Sequence, residues 1–339
     1  MTILSLCSGI GGLERGIEAA TGGTVVLQVE RDAYAQKVLA RHYPDVPILN
    51  DVALVDESWR GVDIVCGGFP CQPHSLAGDR LSGDDDRDLW PEMARILNVV
   101  RPKVAVFENV PGLLTSRTVT DDPSTAGHFF YNILRDCQSA GYYVRWDCCP
   151  ASSVGALHHR DRVFLILTRT PIQESREAWP FQCRMFGLSQ MEWPRAGAWS
   201  NGNAYVCNAL WSDGQLCESD RRWPTPTARD WKNGKHSEET ARRNTRPLSE
   251  VAWLAAGRPD VGTLNPEWVE ILMNYPVGYT AHEGPSMRDV PALPFTADTD
   301  VPWFIPNYNY RKNRIHCLGN SVVPAVSEAV ARRFLLPYP

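Results

Sequence analysis

The sequence predicts an α/β fold, a doubly wound, mostly parallel sheet covered by helices, with a second, smaller domain rich in loops. Over the first 169 residues, short apolar or β-branched runs alternate with segments of helical periodicity. Between residues 170 and 262 this rhythm breaks down, and Trp, Pro, Asn, Arg and Gly become frequent. We therefore expect one domain over 1–169, a second over 170–262, and a return segment over 263–339 whose last helix packs back on the first domain.

The elements follow in chain order from these patterns. The predicted strands are Ile3 to Cys7, Val25 to Glu30, Val62 to Cys66, Val104 to Glu108, Tyr142 to Cys148 and Arg162 to Thr168. The predicted helices of the first domain are Leu13 to Ala20, Ala33 to His42, Leu89 to Val99 and Phe129 to Ala140. In the return segment, Asn265 to Met273 predicts a helix capped by Asn265, and Ser321 to Leu335 predicts a closing helix.

Composition limits the class of protein. The chain has 339 residues, of which 43% are hydrophobic, which is enough for a sizeable core. No signal-peptide pattern opens it, and no apolar run approaches the ~20 residues needed to cross a bilayer, so we expect a soluble cytoplasmic protein without a membrane partner. The 10 cysteines are irregularly spaced and predicted to be reduced. Without a CxxC pair, a metal site at Cys183, Cys207 and Cys217 is not expected.

The charge is unevenly distributed. The net charge of -5 argues against a protein that coats nucleic acid along its whole surface. Residues 221–246 nevertheless hold eight Lys or Arg against three acids, interleaved with Trp223 and Trp231. A solvated basic loop is one interpretation. The other is a nucleic-acid contact that combines phosphate and base recognition.

One cysteine, Cys71, lies between two prolines directly after a predicted buried strand. The prolines in Gly67-Gly68-Phe69-Pro70-Cys71-Gln72-Pro73 restrict the backbone and would hold the thiol in one direction. Taken alone, an inert thiol in a turn is the simpler interpretation. A reactive nucleophile is the better interpretation if groups that can assist the reaction of the thiol lie at neighbouring strand ends.

The turn after the first strand has the composition of a cofactor-binding turn. Ser8-Gly9-Ile10-Gly11-Gly12 opens the first helix, and its glycines would let a ligand approach the backbone. Glu30 ends the second strand, where an acid can bind ribose hydroxyls, and Asp51 could hold an adenine amino group. Either acid could equally be a turn residue or a helix cap.

Further chemistry-bearing residues stand at two other strand ends. Glu108 ends a predicted strand, and a carboxyl group beside a thiol suits attack on a ring that must be protonated. Arg160 and Arg162 precede another strand, where guanidinium groups can hold a phosphate or a carbonyl oxygen. A solvated strand start is the alternative for this Arg-Asp-Arg run.

Together these segments resemble the DNA cytosine-5 methyltransferase family. The resemblance covers Ile3 to about Arg169 and Asn265 to Leu335. It rests on six blocks in order, LSLCSGIGGLERG, VERDAYAQKV, GGFPCQPHSLAG, VFENVPGLL, HHRDRVFLI and LGNSVVPAV. It implies the Rossmann-like methyltransferase fold, with residues 170–262 as the target-recognition domain.

The resemblance implies an activity and the residues that perform it. Cys71 would add to C6 of a flipped-out cytosine, with Glu108, Arg160 and Arg162 as the other catalytic residues, and C5 would take a methyl group from S-adenosylmethionine. The cofactor-binding residues would be Cys7, Ser8, Gly9, Ile10, Gly11, Gly12, Glu30, Arg31, Asp51, Val52, Pro70, Leu89, Asn320, Ser321 and Val322. The DNA-binding residues would be Gln72, Ser75, Arg229, Lys232, Arg242 and Arg243.

The sequence departs from the family pattern at four positions around these blocks. Ser5 stands where many relatives carry Asp, Cys7 where an aromatic side chain often stacks on the cofactor, and His158 where Gln commonly precedes the arginines. Arg31 replaces an often aromatic neighbour of the ribose acid. These departures bear on cofactor affinity more than on the reaction, and Arg31 is a candidate to cover the adenine.

The partners implied are double-stranded DNA and, in a restriction-modification system of a bacterium or a phage, a cognate restriction endonuclease. We expect a monomer. Two alternative functions use or keep the same fold. An RNA cytosine methyltransferase would use the same catalytic residues on tRNA, which the long middle segment disfavours. A binding protein that keeps the fold without chemistry would not need Cys71, Glu108, Arg160 and Arg162 together.

Overall fold

The structure, a computed structural model, describes residues 1–70, 89–116, 129–170, 193–200, 202–207, 209–211, 223–232, 246–257, 262–292, 294–295 and 299–336. The strands in these ranges are β1 Thr2–Leu6, β2 Thr24–Val29, β3 Ile48–Leu49, β4 Ile64–Gly68, β5 Val104–Asn109, β6 Tyr143–Pro150, β7 Asp161–Thr168, β8 Ala196–Ser200, β9 Asn203–Val206, β10 Thr263–Leu264 and β11 Phe304–Ile305. The helices are α1 Gly12–Thr21, α2 Ala33–His42, α3 Trp90–Val100, α4 Phe129–Ser139, α5 Leu248–Ala255, α6 Pro266–Leu272, α7 Arg311–Asn320 and α8 Pro324–Phe334.

A nine-stranded sheet in the order β3-β2-β1-β4-β5-β7-β6-β8-β9 forms the centre of the fold. Strands β1 to β5 pair in parallel, whereas β7 pairs antiparallel with both β5 and β6. The parallel half consists of apolar runs because helices cover both of its faces. The predicted doubly wound, mostly parallel sheet is confirmed, with an antiparallel extension beyond β5.

Two apolar clusters lie on opposite faces of this sheet. One joins the inner sides of α1, α2 and α8 and includes Ile17, Val38 and Val330. The other joins α3 and α4 and includes Ile96 and Leu134. Burial of these side chains on both faces is the main stabilising term for the domain, and it fixes the strand ends that carry the functional residues.

Most predicted elements form close to their expected limits. Helix α2 has the predicted bounds, since Asp32 caps it by accepting hydrogen bonds from the N–H groups of Tyr34 and Ala35. Asn265 caps α6 as predicted and accepts from the Glu267 N–H. The closing helix begins at Pro324 rather than Ser321, because the preceding residues leave α7 in extended conformation.

The boundary predicted at residue 170 does not end the sheet. Strand β8 pairs with β6, and β9 pairs with β8, so Ala196–Ser200 and Asn203–Val206 extend the sheet of the first domain. Gly197 permits this pairing, since a Cβ atom there would lie 2.2 Å from the Trp146 ring. Trp193 and Trp199 fill the apolar cluster on the α4 side.

Residues 223–232 also pack on neighbouring elements. Trp223 meets Trp268 of α6 edge to face at 4.9 Å and Trp303 at 5.1 Å between ring centroids. Pairs in this geometry stabilise packing beyond their buried area. This part of the predicted second domain is therefore anchored to the return segment.

A buried carboxylate organises the return segment. Glu270 is fully buried and accepts hydrogen bonds from the N–H groups of Gly278 at 2.6 Å and Thr280 at 2.7 Å. It also pairs with Arg314 of α7 at 2.8 Å, and Arg314 Nε in turn donates to Thr280 Oγ1. Because every interaction joins separate segments, this network fixes the turn after α6 against α7.

Helix α8 packs directly against α1. A Cβ atom on Gly16 would lie 1.9 Å from Ser327 Oγ, and Ser327 Oγ donates to the carbonyl of Gly12 at 3.0 Å. Helix α8 thus packs on α1, and the predicted limits of the return segment stay a prediction. The first and last helices of the described chain touch because α1 presents glycine at the contact.

Candidate active site

The chemistry-bearing residues of four segments meet at the edge where the parallel strands end. The Ser8 to Gly12 turn follows β1, Glu30 follows β2, Pro70 follows β4 and Glu108 lies near the end of β5. Since β7 runs antiparallel to β5 and pairs Val163 with Asn109, its start lies at the same edge. The antiparallel strand therefore brings the Arg-Asp-Arg run beside Glu108, in the crevice where such sheets bind ligands.

Glu108 and Arg162 form an ion pair at this edge. Arg162 Nε lies 2.8 Å from Glu108 Oε1, and the side chains are 19% and 12% exposed. A pair with this little exposure is held more rigidly than a surface pair, yet a ligand can still reach it. The arrangement presents a carboxyl group next to a fixed guanidinium group.

Two neighbours determine the position of Glu108 and of the chain before Cys71. Gly68 lies beside Glu108 in the β4–β5 register, and a Cβ atom there would be 2.9 Å from Glu108 Oε2. Asn109 Nδ2 donates to the carbonyl of Phe69 at 2.9 Å, which fixes the exit of β4. Asn109 was not predicted as a site residue, although its place directly after Glu108 at a strand end was a signal.

Arg160 points into the protein. Its side chain is buried, and its guanidinium group donates to the carbonyls of Pro226, Gly319 and Ser321. Its own N–H donates to Thr225 Oγ1 at 3.0 Å. Burial and the nearby Arg162 lower the pKa of Arg160 to about 9. Arg160 therefore ties together three segments around the site, while Arg162 faces the carboxyl group.

The turn after β1 is bound to Glu30. The Gly9 N–H donates to Glu30 Oε2 at 2.6 Å, and the Asp32 N–H donates to Oε1 at 2.7 Å. Gly9 has a φ of 56°, and a Cβ atom built on it would meet nothing within 4 Å. Burial raises the pKa of Glu30. Open space above a glycine and beside a carboxyl group suits a ligand that presents hydroxyl groups.

The remaining residues of the turn face the protein rather than open space. A Cβ atom on Gly12 would lie 2.1 Å from the Tyr275 hydroxyl and 2.4 Å from the Val322 carbonyl oxygen. Ile10 is fully buried, and Gly11 contacts Tyr279. The side chains predicted to bind cofactor at Ser8, Ser321 and Val322 are also buried. These positions shape the turn by packing, and any ligand contact from them would come from the backbone.

Seven other predicted cofactor-binding residues lie around the same edge. Arg31, Asp51, Pro70 and Asn320 are exposed, Leu89 is half-buried and Val52 is buried. Asp51 Oδ1 accepts a hydrogen bond from the Ala53 N–H at 2.9 Å. This acid therefore caps a short turn, which is the alternative to cofactor binding that the sequence left open. Cys7 adopts a φ of 50° beside Glu30. Contact of these residues with a cofactor stays a prediction.

Several predicted site residues lie outside the described residues. They are Cys71, Gln72, Ser75, Arg242 and Arg243. Arg229 and Lys232 are described and exposed. Within the described ranges, no cluster of His, Cys, Asp and Glu could hold a metal ion. In the same part of the chain, none of the helices combines the length and apolar character of a membrane span.

The described cysteines at the core are held as neutral thiols. Burial raises the pKa of Cys7, beside Glu30, to about 12, and it raises the pKa of Cys149 to the same value. Burial also raises the pKa of Cys66 well above its ordinary range. Because the thiolate is the nucleophile, none of these three groups is activated for attack.

A buried carboxyl group lies beneath the turn that carries Gly9. Glu14 of α1 is fully buried, and its Oε1 accepts from Gln28 Nε2 at 3.0 Å. Burial raises the pKa of Glu14 to about 7, and the charge of Glu18 contributes in the same direction. Since the unfolded pKa is near 4.5, the folded chain binds more protons than the unfolded chain between these values.

The Glu14→Gln variant should therefore be more stable than the wild type at pH 8, on the order of 3 kcal/mol, with little difference at pH 5. Stability linked to Glu14 is present below its unfolded pKa and lost as pH rises through about 7. Urea unfolding of both proteins between pH 5 and 8 measures the difference. Glu57→Gln, at an exposed turn, is the control. A difference that does not change with pH would contradict the assignment.

Known proteins with similar sequences identify the family. A family model described as C-5 cytosine-specific DNA methylase matches residues 1–250. The chain belongs to this family. The resemblance inferred from the six blocks is thus confirmed.

Curated relatives of this family member include bacterial Type II methyltransferases. M.NgoMIV of Neisseria gonorrhoeae is 35% identical over 167 residues, which are 49% of this chain and 51% of the relative. M.HgiBI of Herpetosiphon aurantiacus is 33% identical over 168 residues, 48% of this chain and 36% of the relative. The matched region thus spans about half or less of the length of these relatives.

Solved structures share the fold of this family member. A mutant of Spodoptera frugiperda DNMT2 superposes with a TM-score of 0.56 at 17% identity, covering 99% of both chains. A putative DNA modification methyltransferase encoded within an E. coli prophage gives a TM-score of 0.54 at 17% identity, again covering 99% of both chains. At this identity, the likeness supports the fold.

Proposed function

We propose that the chain methylates C5 of cytosine in double-stranded DNA at a specific sequence, using S-adenosylmethionine. The observation that carries the proposal is the Glu108–Arg162 pair, one strand away from the β4 exit that leads into Cys71. Membership of the cytosine-specific DNA methylase family and the Type II methyltransferase relatives support the DNA substrate.

The residues at the strand ends fit S-adenosylmethionine. The open space at Gly9 admits the close approach of a ligand, and Glu30, already bound to two backbone N–H groups, offers acceptors for ribose hydroxyls. Arg31 and Asp51 are exposed near the adenine end of such a ligand. When bound, the cofactor supplies an electrophilic methyl group.

The chain's own residues activate the cytosine. The Cys71 thiolate adds to C6, which makes C5 nucleophilic, and Glu108 holds the proton at N3 as the negative charge develops. Arg162, fixed by Glu108, holds the O2 carbonyl of the base. After methyl transfer to C5, a base removes the C5 proton, and elimination frees Cys71. A base inside a duplex cannot reach these groups, so it must be flipped out.

In this proposal the remaining predicted residues bind DNA or position the site. Gln72 and Ser75 contact the target strand, and Arg229, Lys232, Arg242 and Arg243 contact DNA from the target-recognition segment. Arg160 positions the segment around Asn320, because its guanidinium group donates to the carbonyls of Gly319 and Ser321. A monomeric state, a cytoplasmic location and a cognate restriction endonuclease complete the proposal, and light scattering in solution tests the first of these.

A duplex that contains 5-fluorocytosine at the target site should trap the protein covalently in the presence of S-adenosylmethionine. Fluorine cannot leave as a proton does, so elimination stops and Cys71 stays bound to C6. Denaturing electrophoresis measures the adduct. Cys71→Ser should abolish both the adduct and methyl transfer while binding of cofactor survives, and Cys207→Ser, at a half-buried position, is the matched control.

The substrate class is tested with labelled S-adenosylmethionine and either DNA or tRNA. Label on DNA supports the proposal, and bisulfite sequencing then gives the target site. Label on RNA alone would replace the DNA assignment with the RNA alternative. Absence of an adduct under turnover conditions would count against the covalent mechanism.

A further inference from the structure

A short basic turn lies directly beside the proposed active site. The carbonyl of Pro226 accepts from Arg160 Nη1 at 3.1 Å, and a Cβ atom on Gly319 would lie 2.0 Å from the Ala228 nitrogen. Asp230 is buried and accepts from both the N–H and the hydroxyl group of Thr227. The turn is therefore held on its inner side.

The outer side of the same turn carries two cations. Arg229 and Lys232 are exposed, and the Lys232 N–H donates to the Arg229 carbonyl at 2.9 Å, which keeps them on one turn. Trp231 lies between them and packs partly against the core on the α1 side. The ammonium group of Lys232 is 5.5 Å from the centroid of this indole ring.

A third cation reaches the same ring from helix α7. Lys312 is exposed, and its ammonium group lies 4.4 Å from the Trp231 centroid. The neighbouring Arg311 is buried and donates to the Trp231 carbonyl at 2.7 Å, so the helix and the turn are joined. Two residues separated by 80 positions in sequence thus place ammonium groups on one indole.

These three cations lack carboxylate partners within the described part of the chain. The salt bridges found there involve other Lys and Arg residues. Like charges on one small surface repel each other, and this surface belongs to a chain of net charge -5. A bound polyanion would relieve the repulsion.

The position of the surface favours one polyanion. The turn contacts Arg160 and Gly319, and Asn320 at the end of α7 is exposed beside the proposed cofactor site. The two ammonium groups lie at most about 10 Å apart, and over that length of duplex axis one DNA strand carries about three phosphates. A duplex whose flipped cytosine reaches Glu108 would pass close to this surface.

We propose that Lys312 joins Arg229 and Lys232, around Trp231, in a surface that binds the phosphates of the DNA strand next to the flipped cytosine. The inference rests on the proposed function and adds to it a residue from the return segment, outside the predicted target-recognition domain. Phosphate contacts fix the position of the duplex and carry no sequence information.

Salt dependence of DNA binding tests this surface. Lys312→Gln should lower the slope of log K against log salt concentration by about 1 and weaken binding at 0.1 M salt by roughly fivefold to tenfold. Lys232→Gln should do the same, and the double variant should lose about 2 from the slope. The loss should be equal for duplexes of different sequence. Lys312→Arg, which keeps the charge, should keep the wild-type slope.

A matched control distinguishes this surface from a general effect of charge. Arg135→Gln removes an exposed cation from α4, on the opposite face of the sheet, and should leave the slope and methyl transfer unchanged. If the wild type methylates DNA but Lys312→Gln keeps the wild-type slope, the inference fails and the proposed function stands. If the wild type neither binds nor methylates DNA, the proposed function itself fails.

Discussion

The Glu108→Gln variant is expected to transfer methyl groups about 10²- to 10⁴-fold more slowly than the wild type. The amide has nearly the same shape, but it cannot hold a proton at N3 of the base as the carboxyl group does. It also leaves Arg162 without its charged partner at 2.8 Å. Single-turnover transfer at saturating DNA and cofactor measures the chemical step directly.

Two further measurements separate a chemical role of Glu108 from a structural one. Binding of S-adenosylmethionine should be close to that of the wild type, since the ion pair described for Glu108 does not involve the Gly9 turn, and a wild-type circular dichroism spectrum should show that the variant is folded. Glu92→Gln is the control, because Glu92 also pairs with an arginine, Arg95, but on the surface of α3. An unchanged transfer rate in Glu108→Gln would remove this residue from the mechanism.

Replacing Glu270 with glutamine should lower the free energy of unfolding by about 3–5 kcal/mol. The change removes the close counter-charge of the buried Arg314 and places an amide group against the N–H groups of Gly278 and Thr280. Urea denaturation followed by circular dichroism gives the shift in midpoint.

Glu267 offers a matched control for this prediction. It lies one turn before Glu270 on α6 and reaches Arg314 only at 3.9 Å, with 40% of its side chain exposed. Glu267→Gln should therefore change stability by less than about 1 kcal/mol. Equal effects of the two substitutions would mean that burial of the Glu270 pair is not what stabilises the return segment.

The parallel half of the fold could be predicted because its strands and helices are local patterns. Apolar runs specify β1, β2, β4 and β5, and the Asp32 and Asn265 caps specify where α2 and α6 begin. Strands β8 and β9 were missed, since their small residues resemble a loop and their pairing with β6 depends on Trp146.

Helix α7 was missed for a different physical reason. Its sequence, RKNRIHCLGN, is polar and predicts a solvated segment, yet Arg311 and Arg314 are buried. Their charges are offset by Glu270 and by carbonyl oxygens from distant segments. Such partners cannot be found from the helix sequence alone.

The part of the site that lies at neighbouring strand ends could be predicted from the sequence. Glu108 and Arg162 were expected near one another, and the structure pairs them. The inward direction of Arg160 depends on a backbone φ of 28° and on carbonyls more than 60 residues away. The packing role of Gly12 depends on Tyr275 and Val322 in the same way.

The contact between α1 and α8 bears on the order of folding during synthesis. The hydrogen bond from Ser327 to Gly12 joins residues 315 positions apart, and the Tyr275 hydroxyl supports Val322 beside the same turn. A ribosome-bound chain that has completed β1 to β5 still lacks these supports. The Gly12 end of this turn therefore gains its packing partners only after residues 322–327 have been synthesised.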